Sequence, residues 1–150
     1  MENSMPSVGD FAPDFEMKNQ QGQMVKLSSL RGKKLLIAFF PYAFSGVCSL
    51  EFGCFRDDLS QFRSKNAEVI GVSVDSHHAL RAFGESLKIE YPMLSDFSKE
   101  TSRAYGVLRP DGASERAYFV IDESGKIIFK RVMEALGQRL ENSELLAALK

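Results

Sequence analysis

The sequence predicts an α/β fold, with a central mixed β-sheet, helices on both faces and an N-terminal β-hairpin. Three observations carry that prediction. The runs 35–40 and 68–74 are apolar without polar alternation, the pattern of strands covered on both sides. Between them Cys48, Phe52, Phe55, Leu59 and Phe62 recur at spacings of four, three, four and three, which is one stripe of a helix. The order of elements is hairpin, strand, helix, strand, helix, strand, helix, hairpin, helix. Helical crossovers pair strands in parallel, and the late hairpin adds antiparallel ones.

The elements follow in order. Residues 6–13 hold Pro6 and Pro13 and read as an extended entry segment. Residues 15–18 and 24–27 flank Asn19-Gln20-Gln21-Gly22-Gln23, a hairpin turn. Ser28-Ser29-Leu30-Arg31-Gly32 is a turn or a single helical turn closed by Gly32. The strand 35–40 stops at Pro41, which has no N–H for a ladder. One helix then runs from Cys48 past Phe62, with Arg56, Asp57, Asp58, Arg63 and Lys65 on its polar faces. Asp75-Ser76 caps a helix to about Leu87, with Ala79, Leu80 and Phe83 inward. Residues 92–94 form a short strand, and a third helix near 99–105 is stopped by Gly106. Arg109-Pro110-Asp111-Gly112 is a turn. The strands 116–121 and 126–132 are joined by Asp122-Glu123-Ser124-Gly125, and Asn142-Ser143 caps a last helix over 144–149.

The whole of 1–150 reads as one domain, because it shows no repeat, linker or low-complexity tract. Its 44% hydrophobic and 26% charged residues are ordinary for a globular chain. A formal net charge of -1 gives no electrostatic pull toward nucleic acid or an anionic membrane. Met1-Glu2-Asn3-Ser4-Met5-Pro6 lacks the basic and apolar regions of a signal peptide, and no run is long and apolar enough to span a bilayer. A cytoplasmic location is the expectation. Two cysteines do not make a disulfide scaffold, so each is catalytic, redox-active or structural.

Cys48 stands in the first turn of a helix, just past the end of a buried strand. The first N–H groups of a helix have no intrahelical partner and carry the positive end of the macrodipole. Both effects favour thiolate, and can bring a cysteine below its free pKa of about 8.5. The plain alternative is a buried, inert thiol. Ligands in open α/β sheets gather beyond the carboxyl ends of strands, which is where the loop from Pro41 to Cys48 lies.

Pro41-x-x-x-Ser45-x-x-Cys48 resembles the Pro-x-x-x-Thr/Ser-x-x-Cys signature of the peroxiredoxins, a branch of the thioredoxin-like fold. Val8-Gly9-Asp10-Phe11-Ala12-Pro13-Asp14-Phe15, Leu94-Ser95-Asp96-Phe97, Tyr105-Gly106-Val107 and Arg116-Ala117-Tyr118-Phe119-Val120-Ile121-Asp122 match in the same order. The similarity covers essentially the whole chain. The stretches around Phe39-Phe40-Pro41 and Phe44-Ser45-Gly46-Val47-Cys48 resemble most the one-cysteine alkyl hydroperoxide reductase E type, then the Q type.

The resemblance implies a thiol peroxidase without cofactor or metal. In it Cys48 attacks one peroxide oxygen to give a sulfenic acid. Ser45 hydrogen-bonds the sulfur or the peroxide, Pro41 shields the pocket, and Arg116 holds the thiolate and the charge on the departing oxygen. Glu51 orients an arginine. The partners it implies are a peroxide, a reductant (thioredoxin, glutaredoxin or a low-molecular-weight thiol) and a second copy in a homodimer. Without the resemblance, Arg116 reads equally as a solvated strand-end charge, Glu51 as a first-turn helix acid and Ser45 as a turn residue.

Cys54 is either a resolving cysteine or a flank residue with no catalytic part. The Q type places its second cysteine five positions along, and this chain has it six along. Six helical residues advance about 9 Å and turn the side chains about 120° apart, and the span exceeds the roughly 7 Å allowed between disulfide Cα atoms. Pairing with Cys48 therefore requires the helix to unwind. His77 and His78 are adjacent, so a helix would point them about 100° apart and off any common ligand face. Two other functions use the same fold. A dithiol-disulfide oxidoreductase wants Cys-x-x-Cys, where this chain has Cys48-Ser49-Leu50-Glu51. A redox sensor would be oxidised at Cys48 without turning over.

Overall fold

The computed structural model describes residues 6–135 and 137–149. Residues 1–5 of the segment 1–6 that lacks a signal-peptide pattern lie outside them. The elements are β1 (Glu16–Lys18), β2 (Met24–Lys26), a 3-10 turn (Leu27–Leu30), β3 (Lys34–Phe39), α1 (Gly46–Asp57), α2 (Leu59–Ser64), β4 (Ala67–Ser73), α3 (His77–Leu87), β5 (Met93–Ser95), α4 (Glu100–Ala104), β6 (Ala117–Ile121), β7 (Ile127–Val132) and α5 (Asn142–Leu149). The strands form one sheet in the order β2-β1-β5-β4-β3-β6-β7. β3–β4 and β4–β5 are parallel, joined by helical crossovers, and the two hairpins and the β3–β6 pair are antiparallel. The sheet is mixed, as the pattern of crossovers and hairpins predicts.

β3 shows why its run is apolar throughout. Leu36, Ala38 and Phe40 face one core with Phe52, Phe55, Leu59, Phe62, Leu80, Phe83 and Leu145. Leu35, Ile37 and Phe39 face the other, with Phe15, Leu27, Tyr105 and Phe119. A strand with both faces buried has no solvent side on which to alternate.

Two local readings are corrected. The entry segment 6–13 is not wholly extended: Val8 and Gly9 form a turn, Asp10 N–H donates to the Ser7 carbonyl at 3.0 Å, and Phe11 then bridges to Lys126. The helix expected to run from Cys48 past Phe62 is two helices, parted at Asp58, where φ is -102° and ψ 12°. The Asp58 carboxylate accepts from Gln61 Nε2 at 3.1 Å and Asn142 Nδ2 at 2.9 Å. Aspartate inside a helical run competes for such bonds, and here they hold a bend. The stripe survives it, because Phe52, Phe55, Leu59 and Phe62 remain in one core.

Gly71 on β4 sets how closely α1 approaches the sheet. A Cβ there would lie 2.8 Å from Met93 Sδ and 2.9 Å from Phe52 Cε1. Phe52 is ringed by Phe40 at 4.5 Å, Phe55 at 5.5 Å and Phe83 at 6.3 Å between centroids, and Tyr91 OH donates to its carbonyl at 2.8 Å. The Met93 thioether can shift, but the ring of Phe52 has little room to. Gly71→Ala is expected to overpack the site and lose about 1–3 kcal/mol, read as a lower urea midpoint at an unchanged slope.

Candidate active site

Two periodicities assemble the site. On α1, Cys48 and Glu51 stand three residues apart and so share a helix face. Along the strand edge, Arg116 and Tyr118 stand two apart and so share a sheet face. β6 pairs with β3, placing Ala117 opposite Phe39, so Arg116 lies at the end of β3 where the chain enters the loop 41–45. Ser114 Oγ donates to the Phe40 carbonyl at 2.8 Å and fixes that end of the strand.

The side chains meet inside the protein. Cys48 is 0% exposed, and Glu51 and Arg116 are 1% exposed. Arg116 Nη2 donates to Cys48 Sγ at 3.1 Å, and Nη1 donates to Glu51 Oε1 at 2.7 Å. Tyr118 OH donates to the other carboxylate oxygen, Oε2. Burial opposes the charge on Arg116, but Glu51 and the Cys48 sulfur outweigh it and hold the guanidinium above its ordinary pKa. Burial raises the Glu51 carboxyl, against the pull of Arg116, Tyr118 and Arg139. Burial and the neighbouring Glu51 charge push the Tyr118 phenol far up, so it stays a donor.

Ser45 is the N-cap residue of α1, with φ -71° and ψ 155°, but its side chain makes no cap bond. Its Oγ is buried and has no hydrogen-bond partner among the described residues. A buried hydroxyl left unpaired costs roughly 1–3 kcal/mol, so a small polar molecule beside it would recover a bond. Ser49 N–H is the first to donate along the helix, to Ser45 O at 2.9 Å, which leaves those of Gly46, Val47 and Cys48 outside the ladder. Pro41 is buried at the head of the loop. Asp75 Oδ2 holds the loop by accepting from Ala43 N at 2.8 Å, and Phe44 is in the left-handed region at φ 69°.

The structure thus brings Cys48, Glu51 and Arg116 into one bonded group, with Ser45 at the N-cap position of the same helix and Pro41 at the other end of its loop. Tyr118 is the member that sequence reasoning missed. The sequence places it in the strand 116–121 with no role of its own, and its two-residue spacing from Arg116 is the one sign that it shares that face. Surface depressions of about 480 and 510 Å³ lie elsewhere, and neither is lined by Pro41, Ser45, Cys48 or Arg116.

Cys54 is half-buried on the intact α1, and both cysteines are free. Its carbonyl accepts from Asp58 N at 3.0 Å and Asn142 Nδ2 at 3.0 Å. The histidines depart from expectation. Their rings do not diverge but lie 4.0 Å apart at the start of α3, tilted by 37°. Loss of solvation and the nearby His78, Lys18 and Arg81 hold His77 below the ordinary histidine range. No group of three or more His, Cys, Asp or Glu able to hold a metal occurs among the described residues.

A model of the AhpC/TSA family matches residues 8–130. Alkyl hydroperoxide reductase E of Mycobacterium tuberculosis is 37% identical over 150 residues, covering 95% of this chain and 98% of the relative. The chloroplastic 2-Cys peroxiredoxin BAS1 of Arabidopsis thaliana is 40% identical over 137 residues, 83% of this chain and 52% of that one, so the chain spans about half its length. Among solved structures, AhpC of Enterococcus faecalis superposes with a TM-score of 0.90 at 30% identity, covering 97% of this chain and 91% of the other. Peroxidoxin BcpB of M. tuberculosis gives 0.87 at 29% identity, covering 96% of each chain.

The buried ion pair makes a prediction independent of any reaction. Arg116→Ala strands a buried carboxylate and is expected to lose about 3–5 kcal/mol. The Arg116→Met, Glu51→Gln double variant removes both charges and is expected to recover most of that loss in the same urea titration.

Proposed function

The chain belongs to the AhpC/TSA family and is a thiol-dependent peroxidase of the peroxiredoxin kind, and from that premise we propose that Cys48 is its peroxidatic nucleophile. The carrying observation is the 3.1 Å contact of Arg116 Nη2 with Cys48 Sγ in a buried site. A guanidinium there stabilises negative charge on sulfur before the reaction and on oxygen during it. The sulfur attacks one peroxide oxygen, an S–O bond forms and the O–O bond breaks. The departing oxygen keeps the electron pair and takes a proton, giving water or an alcohol and leaving Cys48 as sulfenic acid. Ser45 Oγ supplies a hydrogen bond to the bound peroxide, Pro41 keeps solvent from the loop, and Glu51 holds Arg116 in place.

An external thiol then condenses with the sulfenic acid, releasing water, and a second thiol frees Cys48 and leaves as a disulfide. Thioredoxin, glutaredoxin and low-molecular-weight thiols are the reductants that fit this step. The unbroken helix between Cys48 and Cys54 supports external resolution, because internal pairing must unwind the first turns of α1. The exposed Tyr42, Phe44 and Leu50 beside the site support a homodimer through that face. We place the enzyme in the cytoplasm, acting on neither nucleic acid nor membrane. Among the described residues no helix is long and apolar enough to cross a bilayer.

Rapid-quench oxidation by hydrogen peroxide and by cumene hydroperoxide, followed by mass spectrometry, tests the reading. The wild type is expected to gain one oxygen at Cys48 and to turn over repeatedly with added thiol. Cys48→Ser is expected to be inactive, and full activity in that variant refutes the assignment. A single oxidation without turnover would favour a sensor instead. Cys54→Ser is expected to keep its rate with a small thiol within about twofold, whereas a Cys48–Cys54 disulfide in peptide maps would refute external resolution.

A further inference from the structure

We propose that Tyr118 is a positioning residue of the peroxidase reaction, acting through Glu51 to hold Arg116 against the Cys48 sulfur; this rests on Cys48 being the peroxidatic cysteine. The phenol is 0% exposed and sits between two fixed partners. Leu140 N–H donates to its oxygen at 3.2 Å. A backbone N–H can only donate, so the hydroxyl must accept there and its single proton is left for Glu51. That proton goes to Oε2, the carboxylate oxygen Arg116 Nη1 does not occupy. Each oxygen of Glu51 thus has its own donor, one from the edge of β6 and one from within it. Neither swings without leaving a buried lone pair unsatisfied.

The carboxylate plane is therefore fixed at two points. Arg116 bonds Oε1 with one terminal nitrogen and the sulfur with the other. A guanidinium is planar and rigid, so the direction in which Glu51 holds one end sets the position of the other. Removing the phenol proton frees Oε2 to seek another donor, and the guanidinium follows. The bond from Leu140 further ties this chain of contacts to the segment leading into α5.

Quenched-flow oxidation of wild type, Tyr118→Phe, Glu51→Gln and the double variant by hydrogen peroxide tests the proposal. Tyr118→Phe is expected to slow formation of the Cys48 sulfenic acid about tenfold, the scale of one hydrogen bond to a charged group. Because Tyr118 acts through Glu51, the double variant is expected to react no slower than Glu51→Gln alone. A wild-type rate in Tyr118→Phe, or slowdowns that multiply in the double variant, would overturn the proposal. A second readout needs no variant. In wild-type protein carrying 13Cζ-tyrosine, the Tyr118 resonance, assigned through its own backbone, is expected to shift when Cys48 is oxidised, and an unmoved resonance would count against the proposal equally. Failure of wild-type Cys48 to oxidise at all is a different result and sinks the peroxidatic assignment itself.

Discussion

The structure turns on a buried Arg116–Glu51 ion pair whose guanidinium also touches a sulfur. Withdrawing two charges from water costs several kcal/mol per ion, and Coulomb attraction repays it only when the remaining bonding positions are filled. Here two elements contribute: α1 supplies the carboxylate, and β6 with the residue just before it supplies the phenol and the guanidinium. Arg116 and Tyr118 each donate to a different oxygen of Glu51. The group is therefore a packing constraint on α1 against β6 whatever its chemistry, and Gly71 sets the approach of the same helix to β4.

Much of the fold was legible because its periodicities are strong. Strands buried on both faces read as unbroken apolar runs, and the phenylalanine stripe after Cys48 read as helix because each member enters one core. What escaped was set by single polar side chains. Asp58 parts α1 from α2 through bonds to Gln61 and Asn142, and the second of these comes from the far end of the chain. No local window contains that partner. The turn at Val8 and Gly9 is likewise tied to a distant strand, Gly9 N–H donating to the Ile127 carbonyl at 2.8 Å.

The site was legible in part. The spacing of Pro41, Ser45 and Cys48 marks one loop, and Glu51 follows from helix geometry. That Arg116 meets them is a tertiary fact, visible beforehand only through family likeness, because sixty-eight positions separate it from Cys48. Tyr118 carried no signal beyond its face, since tyrosine in a strand is ordinary. The histidines erred in the other direction: adjacency implied divergence, yet side-chain torsions at the first turn of α3 swing the rings together.

The complete burial of Cys48 has a consequence for what this sulfur meets. Its sulfur lies out of reach of solvent, so a reactant meets it only through local movement of the residues around it. Concealment of this kind favours small reactants over bulky ones, because a small one needs the lesser displacement of its surroundings.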